Sequence, residues 1–278
     1  MSVSKIKSYA KINLSLKVVG KLKSNLHKIE SFITFVNLSD QIQIIKSKNN
    51  FHKVYFYGRF AKGILKQNTI TKLLKILDEK RLLNGQKYLI KVKKNIPLKS
   101  GLGGGSMNAA SIFKFFLDKK VFFLKNKEIK KIANIVGSDV IIGMKRINSI
   151  LLSSGKVIRS RKKIGLYVLI AKPNIGCSTK KIYKNVKIFS KKKNEKVFIL
   201  KNIIKSKNDL EEVVLSKYPV IKRLKEYMKK LPRVKFVRMT GSGASLIAYF
   251  NSKNASINAA KIFRRNYKNY WCIISKTI

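Results

Sequence analysis

Acidic residues are scarce in this chain: 12 Asp and Glu stand against 63 Lys and Arg, a formal net charge of +51 over 278 residues. Cysteine and histidine are equally sparse, with two of each. Two cysteines do not make a disulfide framework in a chain this long, so Cys177 and Cys272 are expected to be reduced. No Cys/His cluster has zinc spacing, and no Ser–His–Asp arrangement can be inferred. No run approaches the roughly 18 consecutive apolar residues of a membrane-spanning helix. Ile164–Ala171, a short apolar run, has Lys close on both sides. The first residues, MSVSKIKSYAKINLSLKVVG, lack an unbroken apolar core and a small-residue cleavage site, so a cytoplasmic location without a secretory signal or a membrane partner is expected.

Hydrophobic residues make up 45% of the chain and include 15 Phe and 11 Tyr, which need burial and exclude a wholly disordered basic tail. The positive charge invites a nucleic-acid reading, because a basic surface gathers polyanions by counterion release. Its texture argues otherwise. Only 10 of the basic residues are Arg, the residue suited to bidentate recognition of bases and phosphates, and the Lys are spread from end to end. Lys, Asn and Ile share A/T-rich codons, which makes genomic base composition the simpler source of the charge. A weak, salt-sensitive affinity for nucleic acid is the expected by-product.

Apolar periodicity predicts a mixed α/β protein. Tyr9–Val19 alternates in part, Phe32–Val36, Gln41–Ile45 and Tyr88–Val92 read as further strands, and Asn68–Leu83 has helical spacing, with Asn68 or Thr69 placed to cap it. Helices are predicted over Ala109–Leu117 and Lys127–Val136, and a hairpin over Gly143–Ile158. The basic run at 159–163 marks a boundary, giving expected domains of residues 1–158 and 159–278. Beyond it, strands are predicted at Leu166–Ala171, Lys235–Met239, Leu246–Phe250 and Trp271–Ser275. Asp209–Leu231 is a helical pattern broken at Pro219, Ala255–Tyr267 a final helix, and Lys187–Lys196 a Lys-rich loop.

Three places could carry chemistry. In PLKSGLGGGSMNAA, Gly101, Gly103, Gly104 and Gly105 fall within five positions, between a strand and a helix. Glycines let backbone N–H groups converge on a phosphate, and the helix that follows turns its unpaired N–H groups and positive dipole end toward the same anion. The loop matches neither a Walker sequence nor a dinucleotide fingerprint, and a flexible turn remains the plain alternative. Asp139 sits in IVGSDVIIGM, an apolar setting that would desolvate a carboxylate unless a cation meets it; helix capping or a structural ion pair explains it equally well. Lys11 and His27 taken alone signal nothing.

Together, AKINLSLKVVG near the start, PLKSGLGGGSMNAA in the middle and VRMTGSGAS near the end resemble the GHMP kinase superfamily, in its order and approximate spacing over nearly the whole chain. The detail looks most like the branch that phosphorylates 4-diphosphocytidyl-2-C-methyl-D-erythritol. The resemblance implies a two-domain GHMP kinase fold, a ribosomal-S5-like N-terminal domain followed by a C-terminal α/β sandwich. It also implies ATP and Mg²⁺ as cofactors and transfer of a phosphoryl group to the 2-hydroxyl of that cytidylyl substrate, in non-mevalonate isoprenoid synthesis. A monomer or homodimer is expected. Rival readings are another GHMP kinase acting on homoserine, mevalonate or a sugar, and a basic RNA-binding protein on an inactive kinase shell.

Carried over by motif, the resemblance makes Lys11 and Asp139 the catalytic pair, Asp139 taking the hydroxyl proton and Lys11 holding the carboxylate ionised. Gly101, Gly103, Gly104, Gly105 and Ser106 match the ATP-phosphate loop, with Pro97 and Leu102 beside them, and Asn68, Lys94 and Asn108 match positions near the nucleotide. His27 matches the residue that reads the cytosine edge, Tyr183 an aromatic that stacks on the base, and Asn13 the same pocket. Gly241, Ser242 and Gly243 match a turn near the substrate, although a purely structural turn explains them nearly as well. The metal's protein ligands are unassigned, with Ser106 as the candidate. The chain departs from the family's pattern at Leu26, where an aromatic is usual, at Met107, where Ser is common, and at Ile141 and Ile142, where proline and an aromatic are frequent.

Overall fold

The computed structural model describes residues 3–22, 26–193, 197 and 199–278. The chain opens with β1 (Val3–Asn13), β2 (Lys17–Lys21), β3 (His27–Ser47) and β4 (Lys53–Tyr57), followed by α1 (Thr69–Glu79), β5 (Lys87–Lys93), α2 (Gly104–Asp118), α3 (Asn126–Val136) and α4 (Val140–Gly143). Then come β6 (Asn148–Leu151), β7 (Val157–Ser160), β8 (Tyr167–Lys172), α5 (Thr179–Lys184), α6 (Leu200–Lys205), α7 (Leu210–Lys217) and α8 (Pro219–Lys229). β9 (Phe236–Met239), β10 (Leu246–Phe250), α9 (Lys253–Asn266) and β11 (Trp271–Lys276) complete the order. No helix among the described residues is long and apolar enough to cross a membrane. Residues 194–196 of the Lys-rich loop, Glu195 among them, lie outside the described residues.

Contacts group the chain into two compact units, Met1–Ala10, Leu38–Pro97 and Gly103–Arg146 in one, and Lys11–Asn37, Leu98–Leu102 and Ile147–Ile278 in the other. The units interleave along the chain, whereas a division after Ile158 follows sequence order.

In the first unit, residues 41–47 of β3 run antiparallel to β5, and β4 runs parallel to β5 on its other side. Ile42, Ile44, Ile90 and Val92 from the strands share a core with Leu73, Leu77, Phe113 and Phe116 from α1 and α2. Burying each phenyl ring contributes about 2–3 kcal/mol. Asn68 caps α1, its side chain accepting from the N–H groups of Ile70 and Thr71. The helix stops four residues before the predicted end because Arg81 takes a left-handed conformation, φ +54°, and closes a Schellman turn, Leu82 N–H donating to the Leu77 carbonyl at 3.0 Å. Lys120, φ +52°, ends α2 in the same way, with Val121 N–H donating to Phe116 at 3.0 Å. Both turns use a basic residue where glycine is the common signal, so the sequence pattern alone overruns the first of them.

His52 belongs to this unit's framework. Its Nδ1 accepts from Tyr88 N–H at 3.0 Å, so Nε2 carries the proton toward Asp78 Oδ2 at 3.1 Å. Burial lowers its pKa below the ordinary 6.5, the neighbouring Lys87 adds to the lowering, and Asp78 opposes it. Protonation of Nδ1 would cost the Tyr88 bond, so the neutral imidazole stabilises the fold above pH 6.5 and that contribution is lost as pH falls below it. The melting temperature should therefore drop between pH 7 and 5, and His52→Phe should flatten that slope. An unchanged slope in the variant would remove His52 from this role.

In the second unit, β6 and β7 form the expected hairpin at Gly155, and β6 pairs with residues 31–33 of β3. A four-stranded antiparallel sheet follows in the order β11-β8-β10-β9, with α8 and α9 packed on it. Pro219 opens α8, which is why the helical pattern breaks there. Arg238 of β9 is buried and donates to the carbonyls of Leu14, Ile203, Ile204 and Ser206, bracing the end of α6 against the β1–β2 connection. The short helices α5 and α6 each bury a single isoleucine, Ile182 and Ile203, too little periodicity to read from sequence. Both cysteines are free; burial pushes the Cys177 thiol up to about 11 and keeps it protonated.

Candidate active site

The glycine loop enters α2 without an ordinary cap. Gly103 occupies the N-cap position in the left-handed conformation, φ +70°, and no side chain caps the first-turn N–H groups. The helix starts at Gly104, five residues before the predicted start, because two glycines that are poor helix formers are required for packing. A Cβ on Gly104 would lie 3.1 Å from Ile96 Cγ2 and 3.3 Å from Lys94 Nζ, and one on Gly105 would lie 3.3 Å from Thr69 Oγ1. Thr69 at the start of α1 donates to the Gly105 carbonyl at 2.7 Å. The result is a helix N-terminus with backbone amides unscreened by side chains, a fit for a phosphate group.

Beneath it lies a buried carboxylate that motif reading misses. Asp40 has no solvent exposure and gathers four donors. Its Oδ1 accepts from the N–H groups of Asn95 at 2.8 Å and Ile96 at 2.9 Å. Its Oδ2 accepts from Asn108 Nδ2 at 3.0 Å and from the Lys94 ammonium. Lys94 and Asn108 are thus brought together, through Asp40, under the loop. Asp40 does have a sequence signal, as the single charge between Phe32 and Ile45 in an otherwise apolar or neutral stretch. Asn68, by contrast, spends its side chain on capping α1 and on the carbonyls of Leu65 and Lys66.

Asp139 joins the loop through α4. Gly143 lets α4 approach α2 so closely that a Cβ there would sit 2.7 Å from Ala110 Cβ and 3.0 Å from Met107 Sδ. At the other end of the turn, a Cβ on Gly137 would lie 3.5 Å from Ser106 Oγ. Asp139 therefore stands two residues from a contact with the glycine loop's last residue, Ser106. It holds the N-cap position of α4, yet its side chain makes no capping bond, which removes the capping explanation for an acid here. Met107 and Ile142, departures from the family pattern, are both buried, and Met107 lies against Gly143 in this α2–α4 packing.

The second unit holds the other residues. Lys11, nearly buried on β1, donates to Asn13 Oδ1 at 2.8 Å, and Asn13 Nδ2 donates to Ser31 Oγ at 2.8 Å. Asn13 N–H donates to Thr240 Oγ1 at 3.0 Å, and Lys11 N–H to the Leu102 carbonyl at 3.1 Å. Gly101 and the turn at Gly241–Gly243 are pressed together: a Cβ on Gly101 would fall 2.0 Å from the Thr240 carbonyl oxygen, and one on Gly241 would fall 3.0 Å from the Gly101 oxygen. Ser242 Oγ lies 2.8 Å from Thr179 Oγ1 at the start of α5, the helix that carries Tyr183. His27 opens β3 with its ring 5.1 Å from that of Tyr183, and its Nε2 is shielded from solvent with no hydrogen-bond partner among the described residues. Burial, followed by Lys21, lowers the pKa of His27, which favours a neutral imidazole.

Gly101 is in the left-handed region, φ +75°, with backbone where a side chain would go. Gly101→Ala is expected to cost about 2–3 kcal/mol through strain and overpacking. It should also raise the KM for ATP, and chemical denaturation with steady-state kinetics would check both. Wild-type stability in this variant would show that the two loops can part without cost.

Against known families, residues 68–146 match the model for the GHMP kinases N terminal domain and residues 198–269 the model for GHMP kinases C terminal. The 4-diphosphocytidyl-2-C-methyl-D-erythritol kinase of Pelagibacter ubique (strain HTCC1062) is 54% identical over 282 residues, covering 100% of both chains. This chain belongs to the GHMP kinases. The fold of this GHMP kinase agrees. A crystal structure of 4-(cytidine 5'-diphospho)-2C-methyl-D-erythritol kinase superposes with a TM-score of 0.79 at 19% identity, covering 98% of this chain and 99% of that one. Homoserine kinase from Cytophaga hutchinsonii superposes with a TM-score of 0.68 at 14% identity, over 100% and 95% of the two chains. The two-domain α/β kinase architecture is therefore that of this chain, and ATP is its phosphoryl donor.

Proposed function

We propose that this kinase uses ATP to phosphorylate the 2-hydroxyl of 4-diphosphocytidyl-2-C-methyl-D-erythritol, a cytoplasmic step of non-mevalonate isoprenoid synthesis. The observation that carries the reading is the 54% identity over the full chain with the Pelagibacter kinase of that substrate. The division into domains at residues 1–158 and 159–278 belongs to the same proposal; the two family matches, one ending at 146 and the other starting at 198, lie on either side of it.

Phosphoryl transfer asks for positioning and for compensation of charge spread over the equatorial oxygens. The backbone amides at Gly103, Gly104, Gly105 and Ser106 hold the ATP phosphates, and Lys94 and Asn108 define the nucleotide side of that cradle. Asp139 orients the attacking hydroxyl and takes its proton, while Lys11 offsets the negative charge of the phosphoryl group in flight. His27, Asn13 and Tyr183 bind the cytidylyl end.

Mg²⁺, when bound, neutralises charge across the transferring phosphates. The residues present fit such an ion. Magnesium bound to a nucleotide needs one or two protein oxygens beside phosphates and water, and the Ser106 hydroxyl, in the first turn of α2, would supply one. Among the described residues no cluster of three His, Cys, Asp or Glu offers a competing site.

An acceptor panel tests the assignment. With ATP and Mg²⁺, turnover is expected with the cytidylyl substrate and not with homoserine, mevalonate or galactose. Turnover with one of the latter three instead would transfer the chain to another branch of the GHMP kinases.

A further inference from the structure

The assigned substrate carries a flat cytosine ring, and the family's usual aromatic before the histidine is absent, since Leu26 stands there with 64% of its surface exposed. A leucine in that position offers no π-face. A different aromatic ring has come to His27 instead. Phe189 lies with its centroid 6.4 Å from that of His27, tilted by 56°, while Tyr183 lies at 5.1 Å, tilted by 38°. Both spacings are those of interacting aromatic rings.

The segment that carries Phe189 is tied down on both sides. Val186 is buried in the second unit's core, and Ser190 N–H donates to the Val18 carbonyl at 2.8 Å, fastening the segment to β2, the strand paired with the start of β3. The ring nonetheless keeps 41% of its surface open. A half-open phenylalanine, held by fixed backbone against a histidine whose Nε2 lacks a partner among the described residues, is placed to meet a ligand rather than to complete a core. An unpaired polar edge flanked by two rings suits a planar heterocycle, whose faces take the rings and whose edge takes the nitrogen.

We propose that Phe189 stacks on the cytosine and replaces the aromatic wall that Leu26 does not supply. The inference rests on the function proposed above. Base stacking on one ring is worth about tenfold or more in affinity, so Phe189→Ala should raise the KM for the cytidylyl substrate about tenfold and leave the KM for ATP within about twofold. Phe189→Leu, which keeps apolar bulk without a π-face, should behave like the alanine variant, and Phe189→Trp should retain the wild-type KM. The leucine variant carries the test should the alanine variant melt early. A wild-type KM in Phe189→Leu, with the wild-type enzyme active on the cytidylyl substrate, overturns the inference and spares the function. Absence of any wild-type turnover with that substrate overturns both.

Discussion

Asp139→Asn is expected to lower turnover about 10²- to 10⁴-fold while leaving ATP affinity and the melting temperature unchanged. Asparagine keeps the size of the side chain and loses the base. The turn around position 139 carries backbone bonds of its own, Val140 N–H donating to the Gly137 carbonyl at 3.0 Å and Gly143 N–H to the Asp139 carbonyl at 3.2 Å. A loss confined to kcat, measured beside nucleotide binding and thermal unfolding, would mark Asp139 as the proton acceptor. Near-normal kcat in a folded variant would take that role from it.

Asp40→Asn should be the most destabilising single change in the first unit, by about 3–5 kcal/mol. The substitution removes the carboxylate paired with the buried Lys94 ammonium and turns an amide donor toward groups that are themselves donors. The KM for ATP should rise with it, because Asn108 and Lys94 lose the anchor they share. Stability and nucleotide binding can be separated by the pair Asp40→Asn with Lys94→Met. The pair removes both buried charges while the asparagine oxygen can still accept from the N–H groups of Asn95 and Ile96, so it should recover much of the stability, whereas the raised KM for ATP should persist. Recovery of both would mean that the cluster serves packing alone.

How far such residues can be read from sequence depends on how local their reason is. Asn68, Gly155 and Pro219 announce themselves because capping, a hairpin and a helix start are settled by neighbours a few positions away. The start of α2 is different. Helix propensity places it at Ala109, and the structure at Gly104, because Thr69 and Ile96 come so near that only glycine fits. The strand β3 differs for a related reason. Two strands are predicted on either side of Asn37–Asp40, yet one runs throughout, since the polar interruption is absorbed by donors from 95, 96 and 108. Arg81 and Lys120 close helices in a conformation that nothing in their type suggests.

What the amino-acid order determined unaided was the mixed α/β class and a glycine-rich loop between strand and helix, because periodicity and a glycine cluster are legible in neighbouring residues. The identities of Lys11, His27, Asp139 and Tyr183 came from the resemblance, residue by residue. Tertiary structure alone decided that Asp40 supports Lys94 and Asn108, that Gly101 is pinned to Thr240, and that Phe189 lies beside His27. Those partners are 54 to 162 residues apart in the chain, and contacts at such separations are selected by burial and shape rather than by any local pattern.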